Sequence, residues 1–280
     1  MKTVTIGFSP CPNDTFIFDA LVNNRINTGE YIFEPVLADV EQLNIMSFNE
    51  VLDVTKISIA AYARASINYQ ILDSGSALGK GVGPLLVSTH PIQNSFLPEL
   101  KIAIPGKFTT ANLLLNTFFP EIKNKTEVIF SEIENKVLAG EFDAGLLIHE
   151  GRFTYSKKGL FKLFDLGEIW ETKMNVPLPL GCIAGSRKLP ANEKNDIEKL
   201  IRESIEYAFK SPDASSNYVR THSQEMAPGV IAQHIALYVN EFSLTLGPEG
   251  RAAIAFLLDK GMESGLLPEV TQPVFNTPAL

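Results

Sequence analysis

Gly79-Lys80-Gly81-Val82-Gly83-Pro84 runs straight into the apolar tetrad Leu85-Leu86-Val87-Ser88. Further on, Val176-Pro177-Leu178-Pro179-Leu180-Gly181 runs into Cys182-Ile183-Ala184-Gly185. Each stretch couples a Gly- and Pro-punctuated turn to a strand-like run. As a pair they mark places where the chain crosses from one domain to another and back. Residues 1–88 and 182–280 then form a discontinuous first domain, and 89–181 an inserted second domain. A length of 280 residues suits two domains of about 100–150 residues each. A cleft between domains joined by two crossings is a good ligand site, and hinge closure can exclude water from it.

Outward from these crossings, short apolar runs alternate with helical patterns. Strands are expected at 3–8, 31–36, 54–57, 69–72, 85–88, 101–104, 128–130, 144–148 and 182–185. Helices are expected at 15–24, with Phe16, Ile17, Ala20 and Leu21 on one face, and at 59–65, 110–119 and 131–139. Ser131 and Glu134 stand at capping-box spacing. The alternation argues for α/β layers with largely parallel sheets. From 192 to 265 the pattern turns helical, with spans at 193–210, 213–222, 230–240 and 248–265 broken by Pro212, Pro228-Gly229 and Gly247-Pro248. The proline-bearing tail from Pro268 reads as irregular and laid on the surface.

The hydrophobic fraction of 45% and charged fraction of 20% are those of a globular protein. The formal net charge is −8, and no Lys/Arg block exceeds two residues, which argues against nucleic-acid binding. No apolar run approaches the roughly 18 residues that span a bilayer. Met1-Lys2 leads directly into a strand, with no secretory leader pattern. With only two cysteines, Cys11 and Cys182, a disulfide framework is not expected, and a cytoplasmic location is. No His/Cys cluster has metal-ligand spacing, Gly79–Gly83 does not match a dinucleotide loop, and no GxSxG elbow is present. The oligomeric state is left open.

The unusual chemistry gathers at strand ends. Ser9-Pro10-Cys11-Pro12-Asn13-Asp14-Thr15-Phe16 packs two prolines, a cysteine and an Asn-Asp pair into one strand-to-helix turn. Asn13 and Asp14 are good helix caps, yet Pro-Cys-Pro stiffens the turn more than a cap requires. Lys56-Ile57-Ser58 ends a strand at a sheet's binding edge, where Lys56 suits a substrate carboxylate as well as solvent. Thr109-Thr110 opens a helix, serving either as a cap or as an anion site built from backbone N–H groups. The run Ala144–Ile148 ends on His149-Glu150, and a histidine titrating near neutrality can accept a proton there. Adjacent extended residues point to opposite sides, which weakens Glu150 as its orienter. His90, His222 and His234 lack partner spacing, and the last two read as ordinary helix-face residues. Cys11 reads as buried and inert rather than nucleophilic.

These segments carry a resemblance that runs nearly end to end. SPCPNDTF (9–16), DVTKIS (53–58), ALGKGVGPLLV (77–87), PGKFTT (105–110) and DAGLLIHE (143–150), in this order, resemble the 1,4-dihydroxy-6-naphthoate synthase family of the futalosine route to menaquinone. The resemblance implies a two-domain periplasmic-binding-protein-like (type II) fold with two crossover strands and a ligand cleft between the domains. It implies a cytoplasmic carbon–carbon lyase without metal or organic cofactor. The implied substrate is cyclic dehypoxanthinyl futalosine, a small carboxylate. His149 matches the family's proton acceptor. Lys56, Ile57 and Ser58 match one substrate-contacting segment, and Thr109 and Thr110 another. Asn13 and Asp14 belong to the signature. Two rivals remain: chorismate dehydratase, an enzyme of similar fold in the same pathway, and a carboxylate-binding protein without catalysis, since a fold does not fix function.

Overall fold

A computed structural model describes residues 1–223 and 227–276. The chain opens with β1 (Lys2–Phe8), α1 (Pro12–Val22), β2 (Tyr31–Leu37), α2 (Val40–Phe48), β3 (Val54–Ser58), α3 (Ile59–Ala65), β4 (Tyr69–Ile71) and β5 (Ala77–Gly79). There follow β6 (Leu85–Ser88), β7 (Ile102–Ile104), α4 (Thr110–Phe118), β8 (Lys125–Glu127), α5 (Ile133–Leu138), β9 (Ala144–Leu147), α6 (Gly151–Thr154), β10 (Phe161–Asp165) and α7 (Leu166–Met174). The last part holds β11 (Leu178–Ser186), α8 (Ala191–Lys210), α9 (Ser216–His222), α10 (Pro228–Tyr238), α11 (Glu241–Leu244) and α12 (Gly247–Glu263).

Two sheets result. The first runs β2-β1-β3-β11-β4, with β5 also paired to β11; the second runs β10-β6-β9-β7-β8. The β1 pairings with β2 and β3 are parallel, while β11 lies antiparallel to β3, β4 and β5. β6, placed by the sequence in the first domain, instead pairs with β9 and β10 in the second sheet. β11 starts at Leu178, inside the second crossing stretch, and pairs there with β5. The sheets therefore part at 80–84 and rejoin by 178, each bound about four residues earlier than 88 and 182. Pro179 is accommodated because the β11–β5 register shifts between Pro179 and Gly181, a break in the ladder that excuses the missing N–H.

The largest core spans both sheets, joining Ile57 and Tyr69 to Leu86, Ile102 and Ile104; two smaller cores each belong to one. Val4, Ile6, Phe8, Ile17, Leu21, Ile197, Ile201 and Ile205 pack β1, α1 and α8 together. On α8 the buried positions recur at helical spacing, and Ser204 Oγ donates to Ile17 C=O at 2.6 Å while accepting from Leu21 N–H at 3.1 Å. Leu85, Val87, Ile133, Val137 and Leu147 form a smaller core in the second domain. At the first crossing the backbone comes into direct contact with α7: a Cβ on Gly83 would lie 2.2 Å from Gly167 Cα.

Several elements depart from expectation for local reasons. β8 lies at 125–127 rather than 128–130, because polar Lys125-Thr126-Glu127 forms a sheet edge while Phe130–Glu132 closes a 3-10 turn. The Ser131–Glu134 capping box does not form; Glu134 instead accepts from Thr154 Oγ1 and pairs with Lys158. The tail is not simply laid on the surface, since Phe275 bridges to Ile71 and Asn276 is buried. Its end, 277–280, lies outside the described residues. No helix among the described residues is long and apolar enough to cross a membrane.

Candidate functional site

Pro12, with its fixed φ, starts α1 immediately after β1, and Cys11 rather than Asn13 or Asp14 takes the N-cap position. This frees both side chains for longer-range work. Asp14 Oδ2 accepts from Ser9 Oγ at 2.7 Å and Ser9 N–H at 3.2 Å. Its Oδ1 accepts from Asn13 Nδ2 at 2.8 Å and from Lys56 Nζ at 2.9 Å. Lys56 also donates to Gly75 C=O at 3.2 Å. Lys56 is thus buried and paired with Asp14 rather than waiting as a lone cation. A buried ion pair persists only when further hydrogen bonds satisfy both partners, as happens here.

His149 follows β9 with φ +57°, a left-handed conformation uncommon outside glycine. Such strain is a recurring mark of functional positions. His149 is half-buried, its ring between Phe130, edge-on at 4.9 Å between centroids, and His234, parallel at 6.1 Å. Its Nε2 has no hydrogen-bond partner among the described residues. Burial brings its pKa down to about 4; Asp14 opposes the fall and Lys56 adds to it. The imidazole is therefore neutral at pH 7 and able to take a proton. Glu150 Oε2 lies 3.6 Å from His234 Nδ1.

The threonines act differently from one another. Thr109 is a true cap, accepting from Asn112 N–H at 3.2 Å and donating to Gly106 C=O at 2.9 Å. Thr110 Oγ1 donates to Leu180 C=O at 2.7 Å and accepts from Ala60 N–H at 3.3 Å, tying α4 to the first domain. The donors left for an anion at this helix start are the N–H groups of Thr110 and Ala111. Ser58 is held by Asn44, whose Oδ1 accepts from its N–H at 2.9 Å. Ile57, between Lys56 and Ser58, supplies an apolar wall.

All eight site residues read from the sequence, Asn13, Asp14, Lys56, Ile57, Ser58, Thr109, Thr110 and His149, line one cavity. Apolar Val40, Val82, Pro84, Ile148 and Leu180 complete its walls. Sequence reading missed α2, whose Glu41 accepts from Phe108 N–H at 2.9 Å and Asn44 Nδ2 at 3.0 Å. Burial raises the Glu41 pKa, against the hydrogen bond from Asn44. The available signal was Asp39, which caps α2 through Glu41 N–H and Gln42 N–H. Also missed were Tyr238, which lines the cavity, and His234, which is fully buried beside His149 rather than on an ordinary helix face. Cys11 is buried, and burial raises its thiol pKa well above the ordinary value, as expected of an inert cysteine. Among the described residues no three His, Cys, Asp or Glu side chains are gathered to hold a metal ion.

A sequence profile described as menaquinone biosynthesis matches residues 4–263. The chain belongs to this family. A 1,4-dihydroxy-6-naphthoate synthase of Thermus thermophilus is 43% identical over 98% of the chain and 100% of its own length. A second, from Streptomyces coelicolor, is 40% identical over 95% of each chain. Among solved structures, an Archaeoglobus fulgidus protein superposes with a TM-score of 0.89 at 34% identity, over 95% of this chain and 98% of its own. The alkanesulfonate-binding protein of Xanthomonas axonopodis superposes at 0.73 with 14% identity, over 96% and 95%. At that identity the likeness shows the fold alone: two-domain, periplasmic-binding-protein-like, type II.

Proposed function

We propose that the chain is a 1,4-dihydroxy-6-naphthoate synthase, a carbon–carbon lyase acting on cyclic dehypoxanthinyl futalosine. The observation that carries this reading is the site itself: a strained, half-buried, neutral His149 shares an apolar-walled cavity with the α4 N-terminus and the Asp14–Lys56 pair. The substrate's carboxylate docks at Thr110 and Ala111 N–H, and its ring system lies against Ile57, Ile148 and Leu180. His149 removes a proton from carbon next to an oxygenated centre. As the ring double bond forms, the bond to the sugar remnant breaks with its electron pair going to the departing fragment, which takes the proton back from His149, and aromatisation drives product formation. The reaction uses the chain's own residues, without metal or organic cofactor. A cytoplasmic location belongs to the same reading, supported by two cysteines that are both free and buried.

The test is incubation with cyclic dehypoxanthinyl futalosine, wild type beside His149→Asn, following 1,4-dihydroxy-6-naphthoate by mass. Asparagine tolerates the left-handed backbone but supplies no base. Product from the wild type, with turnover lowered about 10²-fold or more in the variant, is the expected outcome. Equal turnover moves the proton acceptor elsewhere. Tight binding without turnover in the wild type returns the chain to solute capture, and conversion of chorismate instead returns it to the dehydratase.

A further inference from the structure

His234 has no part in the chemistry above, yet it sits where the two halves of the site meet. It lies on α10, in the first domain, and its ring has no exposed surface. On one side Nε2 is 2.9 Å from Asn13 Oδ1. Asn13 Nδ2 donates to Asp14 Oδ1 at 2.8 Å, and Asp14 holds Lys56 at 2.9 Å. On the other side lie two residues from the end of β9 in the second domain. The His149 ring lies parallel to that of His234, at 7° and 6.1 Å, and Glu150 Oε2 is 3.6 Å from His234 Nδ1. Phe153 and Tyr238 complete its aromatic surroundings at 6.3 and 4.8 Å.

The chain of bonds fixes the tautomer. The Asp14 carboxylate, paired with Lys56, serves as an acceptor, so Asn13 turns its NH₂ to Asp14 and its carbonyl to His234. His234 must then carry its proton on Nε2. We propose that His234 is a positioning residue which, as the Nε2–H tautomer, registers the stacked His149 ring of one domain against the Asn13–Asp14–Lys56 chain of the other. Loss of that N–H leaves the Asn13 carbonyl without its donor and releases the amide. Asp14 and Lys56, the charged pair that His149 senses, then lose a fixed place. The inference rests on His149 being the proton acceptor.

Two measurements test it. Imidazole ¹⁵N NMR of the substrate-free protein at neutral pH reads the tautomer without reference to any reaction. A slowly exchanging Nε2–H on His234 is expected, and an Nδ1–H tautomer overturns the proposal. Kinetics supply the second measurement, once the wild type has been shown to turn over. Wild-type inactivity would sink the functional reading and leave the NMR result standing. His234→Phe keeps a ring against His149 but donates nothing, and Asn13→Ala breaks the same chain one link on. Either variant should lower kcat about tenfold to a hundredfold with a smaller change in KM, as misplacement near the reacting atoms does. His234→Gln, which can still donate to Asn13, should recover most of that loss. Asn13→Ala should cost nothing further in a His149→Asn background. Equal damage from the Gln and Phe variants, or full additivity with His149→Asn, overturns the proposal. If His234→Phe does not fold, Asn13→Ala and the tautomer still decide.

Discussion

At the scale of single residues, burial sets both the chemistry of the site and its response to acid. His149 titrates at about 4 in the fold and at about 6.5 once unfolded. Between those values the folded chain binds fewer protons, so stability falls as pH drops from about 6.5 to about 4 and levels off below. The contribution is on the order of 3 kcal/mol. His149→Asn should lack this part of the slope, which urea midpoints at pH 7 and pH 4.5 for both proteins would reveal. The same dependence in each would show that the histidine titrates normally. Lys56→Met leaves Asp14 buried without its cation and should cost about 3–5 kcal/mol. Adding Asp14→Asn should return part of that loss. Strict additivity of the two changes would mean that the pair does not interact. None of this pairing shows in the sequence, where Asn13-Asp14 looks like a cap and Lys56 like a free cation. The partners are 42 positions apart, and no local pattern encodes that contact.

At the scale of elements, α4 and α2 bring the domains together. The Thr110 hydroxyl bonds Leu180 C=O and Ala60 N–H, and Glu41 holds Phe108 N–H. Phe108 also stands edge-on to Phe48 at 5.0 Å, with Arg64 5.2 Å from its ring. Thr110→Val leaves buried backbone groups without a partner and should cost about 1–3 kcal/mol in urea unfolding. It should also raise KM more than it lowers kcat, because the helix start it moves is the proposed carboxylate dock. A change in kcat alone would argue against that dock. Elements with strong hydrophobic periodicity, such as α8 and β1, were legible in the sequence. α2 and β8 were not. The first is half-exposed and interrupted by polar positions, and the second is a three-residue polar edge strand. The crossings were legible as Gly/Pro punctuation. Their bounds moved because β6 and β11 are equally apolar on either assignment, and only pairing decides which sheet owns them.

At the scale of the whole molecule, the cavity lies where the chain crosses between the two sheets, at 80–84 and the start of β11. Gly83 and Gly167 meet backbone to backbone there. Gly83→Ala should therefore destabilise the protein more than Gly81→Ala, whose site is open and whose cost is the left-handed strain alone at φ +71°, about 1–2 kcal/mol. Thermal melts of the two variants check the order, and equal losses would mean that the contact can relax. The strand order carries a further consequence, for the chain as it leaves the ribosome. Every pairing of the second sheet lies between residues 85 and 165. β3 must wait for β11, so that Val54 meets Gly185 only after the whole insertion has been made. Domains commonly mature from the N-terminus during synthesis; here the half that begins the protein can be completed only after every strand of the insert has been made.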